Sequence, residues 1–192
     1  MAIIPVYGIE QGGNSTRIYY SSGDVTTDSR KTGTVLQNIA RYFGNNHKVL
    51  QRDYGKLLNC KLKCPYAFSK NHIYVPVKVR SPLVKKDGAT GYFNLAAFEG
   101  LEIIPPGSAD HHVKCMILLS GEHRINSHYL PDKIEERINL AYGVRERYCY
   151  LHDQFSLDSA SPRLNQKNSS TTIKIKKGLY FKLVAEDEEE EE

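Results

Sequence analysis

An α+β fold is predicted, mainly antiparallel sheet with two to three helices in a single domain. Three observations carry this expectation. Ile73, Val75, Val77 and Val79 alternate with Tyr74, Pro76 and Lys78, the period of a strand. Val113 to Leu119 and His123 to Ser127 flank Ser120-Gly121, the pattern of a hairpin. Val35, Ile39, Tyr42 and Phe43, and later Ile134, Ile138, Ala141 and Tyr142, fall at helical spacing.

Element by element, Ala2 to Tyr7 reads as a strand, with Pro5 favouring an edge position because proline donates nothing to a ladder. Gln11 to Ser15 is a turn, Arg17 to Ser21 a second strand, and a polar loop runs on through Lys31. The helix bearing Val35 ends at Gly44, a good C-cap, and places Tyr42 and Phe43 in the core. Lys48 to Leu58 is a second helix with Gly55 as its weak point. In the strand Ile73 to Val79, Pro76 again favours an edge. Ser81 to Gly91 is a basic hairpin loop, Tyr92 to Phe98 the returning strand, and Glu102 to Ile104 a short extended piece before a turn at Pro105-Pro106-Gly107. Pro131 suits the first turn of a third helix, with Asp132, Glu135 and Glu136 near its positive end and Arg145 and Arg147 near its negative one.

The domain is expected over residues 1–152. A Ser/Asn-rich linker follows at 153–172, then a Lys-rich hairpin at 173–185 and an acidic tail at 186–192.

Charge is segregated along the chain. Lys and Arg number 26 and Asp and Glu 22, a formal net charge of +4. Glu186 to Glu192 are seven consecutive acids, so the rest of the chain carries +11. Between Arg41 and Lys86 stand eleven basic residues and a single acid, Asp53, with Tyr42, Phe43, Tyr54, Tyr66, Phe68 and Tyr74 among them. So much one-signed charge repels itself unless a polyanion neutralises it, and nucleic acid does so with release of condensed counterions. The acidic run is expected to be solvated and disordered; the sharper reading is that it folds back on the basic surface and competes with phosphate.

Other chemistry finds little support. Cys60 and Cys64, with His111, His112 and Cys115, lack the spacing of common zinc sites, and no metal or cofactor is expected. There is no paired-carboxylate metal motif, no nucleophile elbow and no Gly-rich phosphate loop, so no catalytic residue is assigned. The N-terminus lacks a basic stretch followed by an apolar one, and no apolar run has membrane-spanning length. The expectation is a cytoplasmic protein with reduced thiols that binds no membrane.

One resemblance gives these features a function. Ala40-Arg41-Tyr42-Phe43-Gly44-Asn45-Asn46, the basic stretch that follows, Asn71-His72-Ile73-Tyr74-Val75-Pro76, Ser81 and Tyr92 resemble ComK, the competence transcription factor of Gram-positive bacteria. Leu119-Ser120-Gly121, Ser127 to Leu130 and the helix from Pro131 continue the likeness, which spans roughly residues 2–150. This sequence differs in having Asn45-Asn46 where serines are usual and Tyr92 where Trp is common. The resemblance implies a nucleoid-associated activator of DNA-uptake genes that binds AT-rich double-stranded DNA, largely through the minor groove, as a homo-oligomer. It also implies RNA polymerase and an adaptor of an ATP-dependent protease as partners.

The residues expected at the DNA are Arg41, Asn45, Asn46, Lys48 and Arg52 around the first helix end, and Lys78, Arg80, Lys85 and Lys86 on the basic hairpin. Cations supply the salt-dependent phosphate contacts, and Asn reads the A·T acceptors of the minor groove. The alternative is an RNA-binding or ribosome-associated basic protein, with a Tyr-rich sheet as stacking platform; a nuclease ranks below it.

Overall fold

The computed structural model describes residues 1–8, 13–60, 63–82, 88–104 and 112–158. Among the described residues the observed class is the expected one: three α-helices and two antiparallel sheets. The first sheet has six strands in the order β3-β2-β1-β6-β5-β4, with β1 Ala2–Gly8, β2 Gly13–Tyr19, β3 Val25–Asp28, β4 Tyr66–Ser69, β5 His72–Lys78 and β6 Thr90–Asn94. The second has three, in the order β7-β8-β9: Phe98–Ile103, Cys115–Leu119 and His123–Ser127. Helices α1 (Thr32–Tyr42), α2 (His47–Leu57) and α3 (Pro131–Asp158) complete the fold.

Both prolines expected on edge strands lie inside the first sheet instead. Met1 O accepts from Asn94 N at 3.0 Å. Odd residues of β1 therefore turn their backbone towards β6, and Pro5 presents its missing N–H there. Pairing of β1 with β6 stops after Ile3, so no ladder bond is lost. Val79 N donates to Ala89 O, so even residues of β5 face β4, whose last partner is Tyr74. Pro76 lies beyond that end. A proline is accommodated wherever the neighbouring strand is short, not only at the sheet's rim.

Register divides the first sheet's side chains. Tyr66, Tyr74 and Tyr92 share one face, and Ile73, Val75, Val77 and Phe93 the other. All of these but Tyr92, which is half-buried, are fully buried. Phe68 on β4 stacks on Phe43 at the end of α1, with centroids 5.9 Å apart, and α3 lies across β5 and β4. Phe93 meets Phe98 of the second sheet at 5.9 Å. The burial of aromatic rings, each worth a few kcal/mol, dominates this core.

Several elements depart from expectation. β2 begins at Gly13, inside the expected turn Gln11 to Ser15, β4 has no counterpart in the sequence reading, and β7 begins at Phe98, ahead of the expected Glu102. The polar loop before Lys31 contains β3, a mostly exposed edge strand with no apolar alternation to reveal it. The strand expected over Tyr92 to Phe98 breaks at Asn94, whose Oδ1 accepts from Ile73 N and Ala96 N and starts a 3-10 turn over Leu95–Ala97. The chain thereby leaves one sheet for the other. Finally, α3 runs 28 residues to Asp158, past the expected domain end at 152. Among its described side chains the last buried one is Val144, and Tyr142, expected on the apolar face, is 45% exposed. The remainder of the linker, the Lys-rich hairpin and the acidic tail lie outside the described residues, as does the turn at Pro105.

Gly121 shows why the two sheets meet closely. It has φ +81°, and a Cβ there would stand 2.9 Å from Gly23 N and 3.0 Å from Ser21 O. Next to it, His123 Nε2 lies 2.8 Å from Tyr20 O. The β8–β9 turn is thus seated against the β2–β3 turn.

Candidate nucleic-acid interface

The N-terminus of α1 is tied to the sheet by Thr16, whose Oγ1 donates to Arg30 O at 2.7 Å and lies 3.2 Å from Thr32 Oγ1. Its C-terminus closes at Gly44, φ +68°, with Gly44 N donating to Arg41 O and Asn45 N to Ala40 O. This pair of bonds satisfies the last carbonyls and turns the chain sharply. Asn46 then caps α2, its side chain accepting from Lys48 N at 3.0 Å. His47 Nδ1 lies 2.7 Å from Gln37 Oε1 and locks the two helices at this corner. Burial, and then the Lys48 charge, lower the His47 pKa, so the ring is held neutral at physiological pH.

The corner walls a cleft of about 1010 Å³, closed on the far side by Pro82 and Gly88 to Thr90. Four cations line it: Lys31 ahead of α1, Arg41 near its end, Lys48 in the first turn of α2, and Lys63. No carboxylate is among the described residues that line it, and none of the four cations has an acidic partner among the described residues. The first turns of α1 and α2 both open onto it, neither containing an acid, so two positive helix ends add to the four charges.

Lys63 reaches the cleft from a constrained loop. It has φ +55°, and its carbonyl oxygen accepts from Arg137 Nη1 at 2.6 Å. Arg137 is itself buried and sits over the Tyr129 ring. Cys60 and Cys64, expected as reduced thiols, are joined as a disulfide across this loop, their Cα atoms 5.8 Å apart. Cys115 is buried, with Sγ 3.4 Å from Tyr129 O, and no group of metal-ligating side chains occurs among the described residues.

The expected DNA-contacting residues divide accordingly. Arg41, Asn46 and Lys48 are brought together in the cleft. Asn45 is not available: its Nδ2 donates to Phe43 O at 3.0 Å and Phe68 O at 3.5 Å, so it serves the fold. Arg52 lies away from the cleft, exposed and paired with Asp53 at 2.9 Å. Lys78 and Arg80 are half-buried and do not line the cleft; Arg80 Nε donates to Gly88 O at 2.6 Å and so holds the base of the basic hairpin. Lys85 and Lys86 lie outside the described residues. Tyr42, expected in the core, is 86% exposed; Phe43 alone packs inward, because Gly44 ends the helix before its face can bury both rings.

Lys31, Gln37, Asn38, His47 and Lys63 line the cleft but were not singled out from the sequence. A signal existed for some of them. Thr34, Gln37, Asn38 and Arg41 recur at i, i+3, i+4 and i+7, a polar stripe along α1.

No helix among the described residues is long and apolar enough to cross a membrane. In comparisons with known proteins the chain matches no family model, no curated protein and no solved structure.

Proposed function

We propose that this protein binds double-stranded DNA through the cleft between α1, α2 and the β5–β6 connection, and that it acts as a ComK-like, non-enzymatic activator of DNA-uptake genes. The observation that carries the DNA reading is the cleft's charge. Lys31, Arg41, Lys48 and Lys63 face one space with two helix N-termini and no carboxylate among the described lining residues. Such a site is repulsive when empty and is neutralised by phosphates. Pro82 and Gly88, which flank in sequence the segment bearing Lys85 and Lys86, border the cleft.

The role as activator, the preference for AT-rich DNA and the oligomeric state rest on the resemblance to ComK. The RNA alternative is weaker. Tyr66, Tyr74 and Tyr92, which would form a stacking platform on the sheet, are half-buried or fully buried, and base stacking requires an open aromatic face.

Competition binding tests the proposal, with an A·T-rich duplex, a G·C-rich duplex and single-stranded RNA measured at several salt concentrations. Preference for the A·T duplex that persists as salt rises supports a groove-reading activator. Preference for the RNA overturns the proposal.

A further inference from the structure

The loop that carries Lys63 to the cleft is closed by the Cys60–Cys64 disulfide. Cys60 follows the end of α2, its N–H donating to Gly55 O at 2.9 Å, and Cys64 precedes β4. The bond therefore ties a helix end to a strand start. Gly55, the weak point of α2, makes room for it. A Cβ there would stand 3.0 Å from Cys60 O and 3.6 Å from Cys64 Sγ. Glycine inside a helix costs stability relative to alanine, and this one lets the closed loop lie against the helix.

The loop's backbone is held where it does not settle by itself. Asn59 has φ +48° and Lys63 φ +55°, the left-handed region that a side chain with a Cβ resists, lysine more than asparagine. Two constraints keep Lys63 there: the adjacent disulfide, and the bond from Arg137 Nη1 to its carbonyl oxygen. A disulfide restricts the conformations open to the chain that it closes. Opening it leaves Lys63 with Arg137 alone. The opened form is also provided for, since Cys64 Sγ lies 2.7 Å from Cys60 O, an acceptor for the Cys64 thiol.

We propose that the Cys60–Cys64 pair is a reversible redox switch on the cleft: the disulfide holds Lys63 beside Lys31, Arg41 and Lys48, and reduction releases it. This inference rests on the DNA-binding reading above and adds its regulation. The partner is a thiol–disulfide couple. Cys64 is buried and Cys60 half-buried, so a dithiol reductant attacks as thiolate at the Cys60 sulfur. The Cys60–Cys64 bond breaks, and Cys64 leaves as a thiolate and takes up a proton. The reductant's second thiol then displaces Cys60, which is protonated in turn. The pair gains two electrons and two protons, and the dithiol becomes a disulfide. A disulfide oxidant such as oxidised glutathione runs the exchange backwards.

DNA titration of the full-length protein in its two thiol states is the test, after treatment with dithiothreitol or with oxidised glutathione. Alkylation after denaturation and intact mass count the thiols, four in the reduced chain and two in the oxidised one. Reduction is expected to weaken binding to an A·T-rich duplex about three- to tenfold and to lower the log–log salt slope by about one, the loss of one phosphate contact. Lys63→Ala is expected to start near the reduced value and to lose most of the response to reductant, which a disulfide serving stability alone would not produce. Cys60→Ser is expected to bind as the reduced wild type does under both treatments. Equal affinity and slope in the two thiol states, a chain that keeps four thiols in oxidised glutathione, or a full response in Lys63→Ala overturns the switch while DNA binding stands. Absence of duplex binding in both states overturns the DNA reading itself, and the switch with it.

Discussion

Arg137 on α3 donates from Nη1 to the backbone carbonyl oxygen of Lys63 at 2.6 Å, bridging 74 positions of sequence. The bond fixes a left-handed residue at the edge of the basic cleft, and its donor is a buried cation with no carboxylate partner among the described residues. Arg137→Met keeps the aliphatic packing and removes the donor. We expect stability to fall by about 1 to 2 kcal/mol and affinity for duplex DNA to fall severalfold as Lys63 loses its position. Urea unfolding and DNA titration check the two halves separately. A stability loss without an affinity loss detaches Lys63 from the binding surface.

The cleft and its surroundings predict a graded response to charge removal. Arg41→Ala, Lys48→Ala and Lys63→Ala are each expected to weaken DNA binding and reduce the log–log salt slope by about one. Arg52→Ala should change both less, because Arg52 is exposed, lies off the cleft and is paired with Asp53. Replacing Lys85 and Lys86 together with Ala is expected to weaken binding and flatten the slope. An unchanged slope there removes the basic hairpin from the footprint.

Two glycines separate conformational cost from steric cost. Both have positive φ, but a Cβ on Gly44 meets nothing within 4 Å, whereas one on Gly121 falls 2.9 Å from Gly23 N. Gly44→Ala is expected to cost about 1 to 2 kcal/mol, the left-handed penalty alone. Gly121→Ala should cost clearly more, since turns from both sheets must separate. Denaturant midpoints measured with equal m-values decide the order.

Alkaline stability follows from the buried tyrosines. Burial pushes the Tyr54 and Tyr92 hydroxyls up to about 12, and Tyr66 and Tyr74 further still. Unfolded tyrosine ionises near about 10, so above that pH the unfolded chain releases protons that the folded chain retains. This contribution is complete below about pH 10 and is lost as pH rises through the folded values. A tyrosinate absorbance titration should show a late step coincident with loss of circular dichroism. Ionisation of all thirteen tyrosines in one step near pH 10 with the fold intact contradicts this burial.

The acidic run Glu186 to Glu192 predicts competition with phosphate. Removing those seven residues is expected to tighten DNA binding severalfold at low salt, with the difference vanishing as salt rises. Equal affinity with and without the run, at low salt, assigns it no part in binding.

Much of this protein was legible in its sequence because local patterns and local causes coincide. The alternation in β5 and the Ser120-Gly121 hairpin gave the strands, and Gly44 gave the end of α1. The density of cations between Arg41 and Lys86 made a polyanion partner the expectation, because charge of one sign needs no tertiary context to repel itself. What only the tertiary structure decided is which side chains share a space. Asn45 and Asn46 are adjacent and chemically identical, yet one is used by Phe43 and Phe68 carbonyls and the other lines the cleft. Lys31 and Lys63 stand 32 positions apart in sequence and meet there because Thr16 anchors one loop and Arg137 the other. Pro5 and Pro76 looked like edge residues because a sequence records the missing N–H but not where the neighbouring strand ends. Such pairings are set by long-range packing, whose free energy belongs to the assembled core and to no single segment of chain.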